Sequence, residues 1–337
     1  MLIVVEPLHA EEHDDPGHPE RPARIAAAMR GVDDLHLGSD LLFIEAAPAP
    51  IDRLIRVHTP DHLDRLARLS AAGGGAIDPD TYVSHTSWDD ARLAAGAGLV
   101  AIDAADSLRA PVFVPARPPG HHAVADRAMG FCLLNNVAVT AAALTDRGER
   151  VLIVDWDVHH GNGTQDVFWD DPEVLYVSTH QWPAYPGSGR ADEVGAGPGR
   201  GATVNVPLPP GATGDVVRHA FDTIVTPAVE AFAPTWVLVS AGFDAHRGDP
   251  LADLSLSAGD FAALTGVVAD YAPAPGRLIV FLEGGYDLDA LRASVAATLG
   301  RLVGAGPGDE SSTSGGPGTA QVDAAAVTRR AALEQTP

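Results

Sequence analysis

Residues 151–165 read VLIVDWDVHHGNGTQ: an apolar run ends in two alternating aspartates, a histidine pair and a glycine-rich turn. Asp157 and His159 stand two residues apart, so an extended backbone turns a carboxylate and an imidazole to the same side. That arrangement is half of a metal site. An isolated D-x-H at a strand end also serves as a hydrogen-bond partner for nearby backbone, so a metal reading needs further ligands. Asp244, in SAGFDAHRGDP, follows another apolar run and supplies one. Two aspartates and a histidine are ligands of the kind that hold Zn2+ and leave a fourth position to water or substrate. Because two carboxylates offset most of the ion's charge, the attacking water would need a separate base.

His121 and His122, in RPPGHH, are the candidates for that base. Proline fixes the backbone just ahead of them and so presents both rings rigidly. Adjacent histidines divide the work when their partners differ, since a carboxylate raises one ring's pKa and a neutral amide leaves the other free to accept a proton. Asp155 and Asn162 offer that contrast, and the expected pairs are His121 with Asp155 and His122 with Asn162. Tyr286 follows Gly284 and Gly285, and its phenol is suited to donate a hydrogen bond to a developing oxyanion. Phe131, with Gly130 before it, and Tyr185 in AYPGSG are expected to wall a narrow aliphatic channel. Arg21 in HPERP either starts a helix near the floor of the site or forms a surface ion pair.

Short apolar runs must position these groups. They occur at residues 2–5, 41–46, 112–114, 151–155, 174–179, 203–208, 236–240 and 278–283. Many are continuous rather than alternating, as in strands buried on both faces of a parallel sheet. Amphipathic stretches such as ERPARIAAAMR and DLDALRASVAATLGRLV lie between them. The expected fold is a three-layer α/β sandwich with a mostly parallel central sheet. Working residues in such folds sit beyond the C-terminal strand ends. RPPGHH, DWDVHHGNG, AGFDAHRGDP and EGGYD each follow an apolar run, so four strand ends are expected to converge on one edge.

Composition narrows the partners. The chain has 337 residues and a formal charge of -23, with 22 Lys and Arg against 45 Asp and Glu, which argues against a nucleic-acid surface. The lone Cys132 forms no internal disulfide and suits a reducing compartment. The N-terminus turns acidic too soon for a signal peptide, and no apolar run approaches about 18 residues, so a cytoplasmic protein without a membrane span is expected. One catalytic domain is expected over residues 1–303. A Gly/Ser/Pro-rich tail over 304–337 should be disordered, with at most a loose helix near its end.

Taken together, HPERPARI, RPPGHHA, GFCLLNN, DWDVHHGNGTQ, YPGSG, SAGFDAHRGDP and LEGGYDLDAL resemble the zinc-dependent histone deacetylase and acetylpolyamine amidohydrolase family, whose fold is arginase-like. The resemblance covers roughly residues 1–303, with the motifs in order. It implies Asp157, His159 and Asp244 as zinc ligands, His121 and His122 as the tandem catalytic histidines, and Tyr286 as the oxyanion donor. It also implies a structural K+ ion beside the zinc, held through carbonyls of the D-x-D-x-H segment and a following serine, here Asp155, Asp157, His159, Ser178 and Thr179. Asn162 and GFDAHRGDPL are similar to the class II branch. Leu251 stands where polyamine-preferring relatives tend to carry an acidic residue, which tilts the implied substrate toward acetyl-lysine peptides, whereas the acidic charge balance favours an acetylated small amine. Two other readings are a two-manganese ureohydrolase, which would need further bridging carboxylates, and a protein that binds acetylated ligands without turnover.

Overall fold

The protein is described from a computed structural model, which covers residues 1–7, 13–306 and 310–335. The strands are β1 (Leu2–Glu6), β2 (Leu41–Glu45), β3 (Gly74–Ala76), β4 (Tyr82–Ser84), β5 (Val112–Val114), β6 (Val151–Asp155), β7 (Val174–Gln181), β8 (Thr203–Leu208), β9 (Trp236–Ala241) and β10 (Leu278–Leu282). All but β3 and β4 form one parallel sheet in the order β2-β1-β5-β10-β9-β6-β7-β8. Every apolar run singled out above is one of its strands. The short antiparallel hairpin of β3 and β4 was not anticipated.

Why the runs are continuous is visible in β1 and β6. Leu2, Val4, Leu152 and Val154 enter one core, while Ile3, Val5, Val151 and Ile153 enter the other. Both sheet faces are therefore covered, and alternation of polar and apolar residues has no place. Helices α2 (Ile51–Leu54), α3 (Pro60–Ala71), α4 (Ser87–Leu108) and α5 (Asn136–Thr145) contribute to the second core. The first receives α1 (Ala23–Asp33), which precedes them, and, after the short α6 (Asn162–Val167), α7 (Gly214–Ala220) and α8 (Thr226–Phe232). A π-helical turn, Phe221–Val225, joins these last two. The same core takes α9 (Ala258–Tyr271), α10 (Leu288–Val303) and α11 (Thr319–Glu334). Among the described residues no helix is long and apolar enough to cross a membrane.

Helix starts near the sheet's C-terminal edge are capped by the residues that also shape the site. Asn135 accepts from Ala138 N at 3.0 Å to begin α5, and its Nδ2 donates to Ala123 O at 3.3 Å, tying the helix to the histidine loop. Asp287 accepts from Ala290 N at 2.8 Å and starts α10 directly after Tyr286.

The tail departs from the expected disorder. Its polar composition works through hydrogen bonds to carboxylates and a hydroxyl from earlier in the chain, of which Asp260 is fully buried. Thr313 N and Oγ1 donate to Asp260 Oδ2 at 3.0 and 2.6 Å, Gly315 N to Asp215 at 3.0 Å, and Gly316 N to Thr213 Oγ1 at 2.9 Å. These bonds fix the backbone where apolar burial is scarce, and α11 then buries Val322 and Ala325. Arg329 of α11 donates to Thr203 O at the start of β8, and to Gly201 O at 2.8 Å. Residues 307–309 and 336–337, also included in that expectation, lie outside the described residues.

Candidate active site

The four central neighbours β5, β10, β9 and β6 deliver the polar motifs to one place. Asp155 ends β6, in register with Ser178 of β7 and Ser240 of β9. Beyond it the carboxylates organise the loop that bears them. Asp155 accepts from Asp157 N at 3.1 Å, Asp157 from His159 N at 2.9 Å, and Asp244 from Val158 N at 2.9 Å.

Asp157, His159 and Asp244 present their ligand atoms within 4.8 Å of one another. His159 Nδ1 is 3.1 Å from both Asp157 Oδ1 and Asp244 Oδ2. In a tetrahedral zinc site with bonds of about 2.0–2.1 Å, neighbouring ligand atoms stand roughly 3.3 Å apart, so the spacing fits. Burial and the charge of Asp157 push the Asp244 carboxyl up to about 7. Glycine permits this crowding. A Cβ on Gly242 would lie 2.0 Å from Asp157 Oδ2, and one on Gly284 2.2 Å from Asp244 Oδ2.

The tandem histidines have the two different partners considered from the sequence. His121 Nδ1 lies 3.0 Å from Asp155 Oδ2, which also accepts from the Tyr176 hydroxyl at 3.1 Å. His122 Nδ1 lies 2.9 Å from Asn162 Oδ1. Burial works against a charge on His121, but the carboxylates of Asp155 and Asp157 outweigh it and hold the ring's pKa well above the ordinary value. His122 goes the opposite way: burial, then the charges of His121 and His159, hold it well below.

Both rings, His159 and Tyr286 line a cavity of about 210 Å3. Gly130, Phe131, Tyr185 and Leu251 line it too. Gly130 has φ +55°, and a Cβ there would come within 2.5 Å of the His122 ring, so glycine is required for the close approach. The Tyr185 ring stands edge-on to His122, with centroids 5.0 Å apart, and Phe131 edge-on to Tyr286 at 5.8 Å. Ser178 and Thr179 are buried on β7 beside the end of β6, with Ser178 Oγ 2.9 Å from His180 Nδ1.

A family model described as the histone deacetylase domain matches residues 18–302. The chain belongs to the histone deacetylase family. It is 44% identical over 311 residues to the uncharacterized protein slr0245 of Synechocystis sp., covering 90% of this chain and 100% of that one. It is 42% identical over 276 residues to the histone deacetylase-like amidohydrolase of Pseudomonas aeruginosa, covering 80% of this chain and 73% of that one. The crystal structure of the HDA15 HD domain superposes with a TM-score of 0.88 at 35% identity, over 98% of this chain and 94% of that one. Membership of the histone deacetylase family makes the chain a hydrolase acting on amides, and its sandwich is the arginase/deacetylase fold.

Several residues of this histone deacetylase site escaped the sequence reading. Arg24, not the exposed Arg21, lies beneath it. Its Nε donates to Gly285 O at 2.6 Å, another arm to Glu283 O, and a third to Glu20 at 3.0 Å. Glu283, fully buried, accepts from Gly120 N at 2.7 Å, His121 N at 3.2 Å and Ser240 Oγ at 3.0 Å, and so clamps the histidine loop to β9 and β10. Burial raises its carboxyl to about 7. With His121 and Cys132 it forms a second gathering of possible ligands, but its oxygens are already committed to those donors. Asp249 accepts from Tyr286 N at 2.6 Å and Leu251 N at 3.0 Å, joining the Tyr286 loop to the cavity rim. Asp80, in the turn of the β3–β4 hairpin, adds a carboxylate to the cavity lining.

Proposed function

We propose that this histone deacetylase family member is a zinc-dependent deacetylase that cleaves the amide of N-acetylated amines, with Asp157, His159 and Asp244 holding one Zn2+ ion. The observation that carries this reading is the unlike partnering of His121 and His122 in a cavity that also receives His159 and Tyr286. A bound Zn2+ would supply a Lewis acid beside the acyl carbonyl.

The residues divide the remaining work. His122, with Asn162 at Nδ1 and a pKa held low, accepts a proton at Nε2 from the attacking water. The hydroxyl oxygen adds to the acyl carbon while the phenol of Tyr286 donates to the oxygen on which charge develops. Burial keeps Tyr286 protonated despite Arg24, so it remains a donor. When the C–N bond breaks, the amine nitrogen takes up the proton from His122, giving acetic acid and the free amine, which exchange a proton to become acetate and ammonium. His121 stays charged against Asp155 and contributes a fixed positive field.

Asp155, Asp157 and His159 through their backbone carbonyls, with Ser178 and Thr179 on the adjoining strand, are the residues proposed to hold K+. One catalytic metal is favoured over a two-manganese centre because Asp155 is engaged by His121 and Tyr176 rather than turned to bridge a second ion. For substrate, Leu251 keeps the rim apolar on one side, whereas Asp80 gives a cationic amine a counter-charge. Acetate release from an acetyl-lysine peptide and from acetylated polyamines, with metal content measured on the same preparation, tests the reading. Release from neither substrate by the zinc-loaded protein would overturn it.

A further inference from the structure

A second and larger cavity, about 540 Å3, lies at the opposite end of the sheet, beside the beginnings of β7 and β8. Its size is within the roughly 300–1,000 Å3 of pockets that hold small organic ligands. Pro227, Ala228 and Ala231 of α8 form one apolar wall. Ala326, Arg329, Arg330 and Leu333 of α11 form the other, spaced so that all four share one helix face. Arg200, from the turn before β8, adds a third guanidinium.

The charge of this cavity is unlike the rest of the chain. Among the described residues no carboxylate lines it, although Asp and Glu outnumber Lys and Arg by 45 to 22 in the whole sequence. Arg329 is 8% exposed, and its partners are the carbonyls of Thr203 and Gly201. The two other buried arginines among the described residues, Arg24 and Arg117, both pair with Glu20. Arg329 has no such counter-ion among the described residues, and burial pulls its pKa down to about 10. A buried guanidinium between apolar walls calls for an anion that brings its own apolar body.

We infer that this cavity binds a carboxylate bearing an apolar chain, free in solution, with its head against Arg329, Arg330 and Arg200 and its chain between α8 and α11. Calorimetric titration of the metal-loaded full chain with decanoate, below its micelle concentration, should give one site per chain. Arg330 is exposed, so R330E leaves the fold intact and should weaken binding at least about fivefold. A231W fills the cavity from its exposed side and should weaken it more than about tenfold. L251W, which narrows the active-site cavity instead, should leave decanoate affinity unchanged, and neutral decanamide should bind more weakly than decanoate. The inference is overturned if decanoate does not bind, if decanamide binds equally well, or if L251W abolishes binding while A231W does not. Capture of the protein by phosphatidylglycerol vesicles without binding of free decanoate would also overturn it, in favour of a lipid surface.

Discussion

Arg24 and Tyr286 are stacked, with the guanidinium carbon 4.8 Å from the centroid of the phenol ring, while Arg24 Nε donates to the carbonyl of Gly285 next to that tyrosine. Arg24 thus holds both the ring and the backbone from which the ring projects. Glu20 balances its charge one helical turn earlier in the chain, at 3.0 Å. Replacing Arg24 by Gln should leave Glu20 with a single buried guanidinium partner, Arg117, and lower stability by about 3–5 kcal/mol. Urea denaturation of R24Q against the unsubstituted chain reads this directly.

Tyr286→Phe removes one hydroxyl from the cavity and leaves the ligand atoms of Asp157, His159 and Asp244 in place. Turnover should fall by about 10²–10³-fold, the typical cost of losing one oxyanion donor. Zinc content per chain, measured by atomic emission, should stay the same. Undiminished turnover in Y286F would remove the oxyanion role.

Asn162→Asp would place a carboxylate opposite His122 Nδ1, as Asp155 is opposite His121. His122 would then remain charged to higher pH, and a base must be neutral to accept a proton. The acid limb of the kcat/KM profile should therefore move to higher pH in N162D. A limb that stayed in place would show that His122 is not the group whose protonation sets it.

Stability should fall on the acid side for a reason separate from catalysis. His58 bridges two loops, with Nδ1 3.1 Å from Val124 O and Nε2 accepting from Asn135 N at 2.9 Å. Protonation would destroy that acceptor. Burial, followed by the neighbouring His62, lowers its pKa from 6.5 to about 3, so between those values the unfolded chain binds the extra proton and stability drops as pH falls. By pH 5 the loss from this group should reach about 2 kcal/mol. Urea midpoints at pH 7 and pH 5 should differ by less in H58Q, whose amide oxygen can still accept.

The sheet was legible because its inner strands are buried on both faces, which leaves continuous apolar runs such as VLIVD and LIVFL. The zinc-ligand candidates and the histidines were legible because they follow those runs directly. Arg24 was hidden for the opposite reason: within an alanine-rich amphipathic stretch, a lone arginine reads as solvent-facing. Glu20 four residues before it was the available signal, since an opposite charge so close in the chain can pair with it, as it does at 3.0 Å. Glu283 was read as the last residue of a strand. A carboxylate directly after five buried apolar residues must find donors, and its donors come from the histidine loop and from β9, both distant in sequence. The order in the tail is hidden likewise, because Asp260 and Asp215 supply it from elsewhere in the chain.

The docking of α11 on β8 gives the sheet two unlike margins. At one, Arg329 occupies carbonyls at the start of the outermost strand. At the other, β2 is the outermost strand, with Leu42 and Phe43 39% and 47% exposed. With α11 tied across the start of β8, β2 is the more open margin for strand pairing, and a contact of β2 with β2 closes at two chains instead of propagating into a fibre.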